Sequence, residues 1–190
     1  MDDEYYSVEA ILAENQKIQC QFKLEVKDMG HLEGGNEQHI KPLSKIQVPM
    51  WMAYILIYSD YADFNIPPAF SARVRNALNA EPRSVKLANL VGQGGVWYSF
   101  GKMIMKMLND EPANEMSRLL VKTFRSRLSE VIDQAQHFAS INAATSAAGG
   151  DGSIGFREGL DGTERELFAL AQESTRMMKK WYETSENPRK

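Results

Sequence analysis

Apolar residues recur at three- and four-residue steps from Asn114 to Ser140. Met116, Leu120, Phe124, Leu128, Val131, Ile132, Ala135 and Phe138 therefore share one face of a helix. The opposite face carries Arg118, Lys122, Arg125, Ser129, Asp133 and Gln136, which stay in water when the stripe is buried. Asn114 is the expected N-cap, because its side-chain oxygen can accept from first-turn amides. So long an amphipathic helix late in the chain predicts a helical bundle with this helix near its centre.

Upstream the period falls to two. Ile18, Cys20, Phe22, Leu24 and Val26 alternate with Gln19, Gln21, Lys23 and Glu25, which predicts a strand with one buried face. A short helix from Val8 to Ala13, capped by Ser7, precedes it. Turns are expected at Asp28 to Gly30 and at Gly34-Gly35-Asn36, and Ile46 and Val48 alternate again before Pro49. Residues 1–48 thus read as a small β-rich N-terminal domain, and residues 49–190 as a larger α-helical domain; the fold class is mainly α.

Pro49 lacks an amide hydrogen and can begin a helix. In that helix Met50, Trp51, Tyr54, Ile55, Tyr58 and Tyr61 form the main apolar face, while Met52 and Leu56 fall off it beside Ser59 and Asp63. Two buried faces follow: both lie inside the bundle, or Met52 and Leu56 meet a partner. Helices are expected after Pro67-Pro68 and after Ser84, the latter stopped by Gly92-Gln93-Gly94-Gly95, with another from Val96 to Leu108. Residues 142–162, rich in alanine and glycine, read as a flexible connector. Thr163 and Glu166 have the spacing of a capping box, opening a helix with Leu167, Leu170, Ala171, Ser174, Met178 and Trp181 on one side.

Composition narrows the functional classes. The 190 residues carry a formal charge of −3, so no global field favours nucleic acid. One cysteine rules out an intramolecular disulfide and fits a reducing compartment. The longest strongly apolar run, Met50 to Tyr58, is about half of the ~20 residues that span a bilayer, and the acidic N-terminus lacks a secretory pattern. No membrane association is expected.

Little chemistry emerges. Gly92, Gly94 and Gly95 join helix to helix, Trp97 stands where a dinucleotide fingerprint needs glycine, and a plain turn is the better reading. Cys20, His31 and His39 match no zinc spacing. No catalytic residue, cofactor or metal is expected. Arg118, Lys122 and Arg125 form a basic row that could meet phosphates or an acidic partner. It lacks aromatic residues to stack bases, and Glu130 and Asp133 dilute its field, so a solvated face or protein contact is favoured over strong direct nucleic-acid binding.

Several segments recur in a set order, beginning at Ser7-Val8-Glu9-Ala10-Ile11-Leu12 and Lys45-Ile46-Gln47-Val48-Pro49-Met50-Trp51. Asn79-Ala80-Glu81-Pro82 and Trp97-Tyr98-Ser99-Phe100-Gly101 follow, then Leu119 to Leu128 with Thr123-Phe124 and Arg127, and Glu164-Arg165-Glu166-Leu167-Phe168. In this order they resemble the third-subunit family of the GINS complex, a four-protein assembly of eukaryotic DNA replication. The resemblance implies a nuclear, non-catalytic scaffold subunit joined to the other three GINS subunits. It further implies docking on the MCM helicase ring with the Cdc-forty-five factor, and an indirect link to DNA polymerase epsilon. The alternative is a helical nucleic-acid-binding module using the basic face. The partner interface is expected at Met52, Leu56, Arg118, Lys122 and Arg125.

Overall fold

The computed structural model describes residues 6–34, 38–92, 94–140 and 151–186. Ser7 opens α1 (Val8–Glu14), its Oγ accepting from the Ala10 amide. β1 (Lys17–Phe22) follows, burying Ile18, Cys20 and Phe22. It is the central strand of a three-stranded antiparallel sheet, flanked by β2 (Lys45–Pro49) and β3 (Ala62–Phe64). Ile18 faces Val48, and Cys20 lies between Ile46 and Phe64. The alternation outlasts the strand: Leu24 is exposed, and Val26 makes only an isolated bridge to Ile40. Of the glycine turn, Gly34 is left-handed, and residues 35 and 36 lie outside the described residues.

Pro49 hands the chain to α2 (Met50–Tyr58), which packs against all three strands. The sheet is closed by β3, so its last strand comes after the expected boundary at residue 48. Nor does the core stop there. One buried cluster runs from Ala13, Ile18 and Val48 through Phe70 and Trp97 to Ile104, Met116 and Leu120.

A single 3-10 turn at Pro68–Phe70 leads into α3 (Ala72–Ala80). The helix expected after Ser84 reduces to a 3-10 turn, Leu87–Asn89. The Asn89 amide donates to the Lys86 carbonyl, three residues back, while the Val85 carbonyl accepts from Arg127. α4 (Trp97–Met105) buries Trp97, Tyr98, Phe100, Gly101 and Ile104. Gly101 is there because α5 comes close: a Cβ would sit 2.8 Å from Leu120 Cδ2.

α5 (Asp110–Ser140) is the longest element, about 46 Å at 1.5 Å per residue. It starts four residues before the expected cap. The Ala113 amide already donates to Asn109, so Asn114 lies inside the helix, and Pro112 occupies the first turn, where its missing donor costs nothing. Met116, Leu120, Val131 and Ala135 are buried as the stripe requires, Phe124 and Leu128 are half-buried, and Ile132, at the edge of the stripe, is 39% exposed; the Phe138 side chain lies outside the described residues.

The expected connector over 142–162 is only partly described, since residues 141–150 fall outside. Its second half is not a connector. α6 (Asp151–Glu158) occupies it, and Phe156 and Leu160, four apart, are buried against Val131. α7 (Gly162–Glu186) completes the chain. Arg127 meets Glu164, and one turn later Val131 shares a cluster with Leu167 and Phe168, so α5 and α7 run side by side in one direction.

Candidate interaction surfaces

The first turn of α7 holds a dense polar group, and it points inward. Arg127 and Glu164 are 0% and 1% exposed. Arg127 Nε and Nη2 donate to the two Glu164 oxygens at 2.7 and 2.9 Å, a bidentate pair. Arg127 Nη1 donates to the carbonyls of Pro82 and Val85, and the guanidinium lies 4.9 Å over the Phe156 ring. Glu164 also accepts from the Tyr98 hydroxyl and the Asp161 amide. The capping box is therefore Asp161 with Glu164, two residues before the expected Thr163 with Glu166: Asp161 Oδ1 accepts from the Thr163 amide while Glu164 reaches back to the Asp161 amide. The other Asp161 oxygen accepts from the Trp97 amide at 2.6 Å, capping α4 as well. Burial pushes the Asp161 carboxyl up to about 7, and burial beside Glu164 raises the Tyr98 phenol. The sequence carried a signal for Arg127: it sits on the buried stripe, seven residues after Leu120 and four before Val131.

The outward surfaces are apolar in two places. On α2, Met50 and Ala53 are buried, and Met52 and Leu56 are half-buried against the core. Met52 and Leu56, expected either inside the bundle or at a partner, thus pack against the chain's own core. Trp51, Tyr54, Ile55 and Tyr58 face out instead, Tyr58 at 85% exposure. Trp51, Tyr54 and Ile55 wall a cleft of about 430 Å³ with Met50, Met103 and Met107, and Glu14 and Lys106 also line it. The second place is the far half of α7. On the register set by Arg127 and Glu164, Ser140 comes level with Met177. Met178, Trp181 and Tyr182 therefore lie past the last residue of α5. Together with Leu170 and Met177 they are all more than half exposed, and the Trp181 and Tyr182 rings meet edge to face at 5.0 Å.

Arg118, Lys122 and Arg125 are exposed and lie together on the outer face of α5, as their spacing predicts. They are not joined to Met52 or Leu56, which belong to another helix and face inward. Cys20 is buried, and burial pushes its thiol up to about 11. His39 Nδ1 accepts from the Asp28 amide. Among the described residues no cluster of three metal-ligating side chains occurs, and no helix is long and apolar enough to cross a membrane.

Residues 6–58 match the family model of the PSF3 N-terminal domain, and residues 69–183 match that of the GINS complex protein helical bundle domain. The DNA replication complex GINS protein psf3 of Aspergillus fumigatus is 36% identical over 183 residues, covering 93% of this chain and 95% of the relative. Its namesake in Phaeosphaeria nodorum is 35% identical, with 93% and 94% covered. The Schizosaccharomyces pombe protein of that name is 29% identical over 178 residues, with 94% and 96% covered.

Proposed function

Because the chain belongs to the PSF3 family of GINS subunits, which act in DNA replication, we propose that it is a non-catalytic scaffold joined to the other three GINS subunits. The heterotetramer binds the MCM ring and the Cdc-forty-five factor in the nucleus to form the active replicative helicase, and links that helicase to DNA polymerase epsilon. One observation carries the scaffold reading. The chain completes its own core and still exposes large apolar side chains along α2 and the far half of α7. Contiguous apolar surface of this kind marks protein contacts, and permanent assemblies bury more than ~2,000 Å². Trp and Tyr, which dominate interface energetics, recur in both places. The ionisable groups most shifted by burial, Asp161 and Tyr98, are enclosed and hydrogen-bonded to one another's partners, where no substrate reaches them.

Coexpression with the other three subunits tests the proposal. A single species whose mass equals one copy of each is the expected result. A chain that purifies as a stable, monodisperse monomer and never co-elutes with them would overturn it.

A further inference from the structure

We propose that the outer face of α5 between Ser117 and Ser126 is a docking groove for an acidic helix of a partner protein, separate from the apolar surfaces of α2 and α7. The groove, about 420 Å³, runs between two rows of side chains: Ser117, Val121 and Arg125 on one side, Arg118, Lys122 and Ser126 on the other. Rows spaced four residues apart are the ridges between which a second helix lays its own such ridge, crossing at about −50°. Its charge is one-sided. Of the acids of α5 around it, Glu115 is drawn off by Arg75 at 3.8 Å and Glu130 by Arg83 at 2.9 Å, which leaves the exposed Asp133, about two turns beyond Arg125. Lys122 donates to Asn79 Oδ1 at 2.8 Å, which holds the ammonium in place without neutralising it. Val121, 47% exposed, is the one apolar side chain of the lining.

These features select the occupant. A second copy of this chain would set three cations against three, a repulsive pairing. Nucleic acid would engage the cations but leave Val121 against phosphate, with no aromatic side chain in the groove to stack a base. A partner ridge of the form Glu-x-x-x-Leu-x-x-x-Glu satisfies every wall. Its leucine covers Val121 and the Lys122 methylenes. Its carboxylates, about 12 Å apart along the partner axis, reach Arg118 and Arg125, which are about 10 Å apart along α5.

The test is fluorescence anisotropy of the full chain with three probes: a labelled helical peptide bearing that ridge, its twin with glutamine for glutamate, and a short DNA duplex. The acidic peptide should saturate the chain, and its affinity should fall as salt rises. Replacing glutamate by glutamine, or introducing Arg118→Glu with Arg125→Glu, should each weaken it about tenfold or more. Circular dichroism of the double variant should be unchanged, because both side chains are exposed. The double variant should also co-elute with the other GINS subunits as the unmodified chain does, so failure of the groove and failure of assembly are read separately. Equal binding of both peptides, saturation by neither, or preference for the duplex with a log-log salt slope near −2 to −3 would overturn the proposal.

Discussion

Replacing Arg127 by methionine tests whether the buried polar group at the start of α7 holds the helical part together. The substitution keeps an unbranched apolar stem on the α5 stripe and deletes the guanidinium. Lost with it are the 2.7 and 2.9 Å bonds to Glu164, the bonds to the Pro82 and Val85 carbonyls, and the contact with the Phe156 ring. Glu164 then remains enclosed with only the Tyr98 hydroxyl and the Asp161 amide as donors. Breaking one side of a buried ion pair costs about 3–5 kcal/mol, a large share of the ~5–15 kcal/mol that stabilises a typical domain. At roughly 2–4 °C per kcal/mol for a chain of this size, the melting temperature should fall by about 6–20 °C. Adding Glu164→Met removes the stranded carboxylate, so the double variant should cost less than the two single variants summed, by about 1–3 kcal/mol. Urea unfolding followed by far-ultraviolet circular dichroism measures all four species. A loss below ~1 kcal/mol for Arg127→Met, or strict additivity, would refute the reasoning.

Four further outcomes are expected. Burial raises the Asp161 carboxyl from 3.8 to about 7, so between those values the folded chain holds a proton that the unfolded chain has released. Stability from this group is complete below about pH 4 and is lost as pH rises through about 7; Asp161→Asn should flatten that slope in unfolding curves taken from about pH 5 to about pH 8. Ile55→Asp should change the stability of the isolated chain by no more than ~0.5 kcal/mol yet weaken assembly by 1 kcal/mol or more, on the order of tenfold in co-elution titrations. Leu56→Asp, one residue on, should instead destabilise the chain itself by about 2–4 kcal/mol. Gly101→Val should cost about 1–3 kcal/mol in the same unfolding assay, because the new methyls meet Leu120.

Where polar and apolar positions alternate cleanly, the sequence was legible. The burial of Ile18, Cys20 and Phe22, and of Met116, Leu120, Val131 and Ala135 on α5, follows from a period that only one orientation satisfies. α2 has no such contrast. All nine residues of MWMAYILIY are apolar, so nothing in the composition marks which side meets water. The sheet decides, taking Met50 and Ala53 and turning Trp51, Tyr54 and Ile55 outward. The α7 cap was ambiguous for a related reason. Asp161-Gly-Thr-Glu164 and Thr163-Glu-Arg-Glu166 both have capping spacing, and the choice rests on partners more than thirty residues away, Trp97 and Arg127. The expected connector misled because its alanines and glycines outnumber the two side chains that matter, Phe156 and Leu160. The basic row was visible, but the pairing of Glu130 with Arg83 was not, and that pairing draws off one of the two acids expected to dilute the row.

The Asp161 carboxyl receives amides from the starts of two helices, its own α7 and α4, whose first residue lies 64 positions before it. Deletions from the C-terminal end should therefore act very unequally. Trimming back to about Met178 removes only the exposed Trp181 and Tyr182 rings and leaves every bond of Asp161 and Glu164 intact. A cut that reaches Asp161 uncaps α4, deprives Arg127 of its counter-ion and opens the aromatic interior around Trp97. The same helix is a detachable handle at one end and masonry at the other.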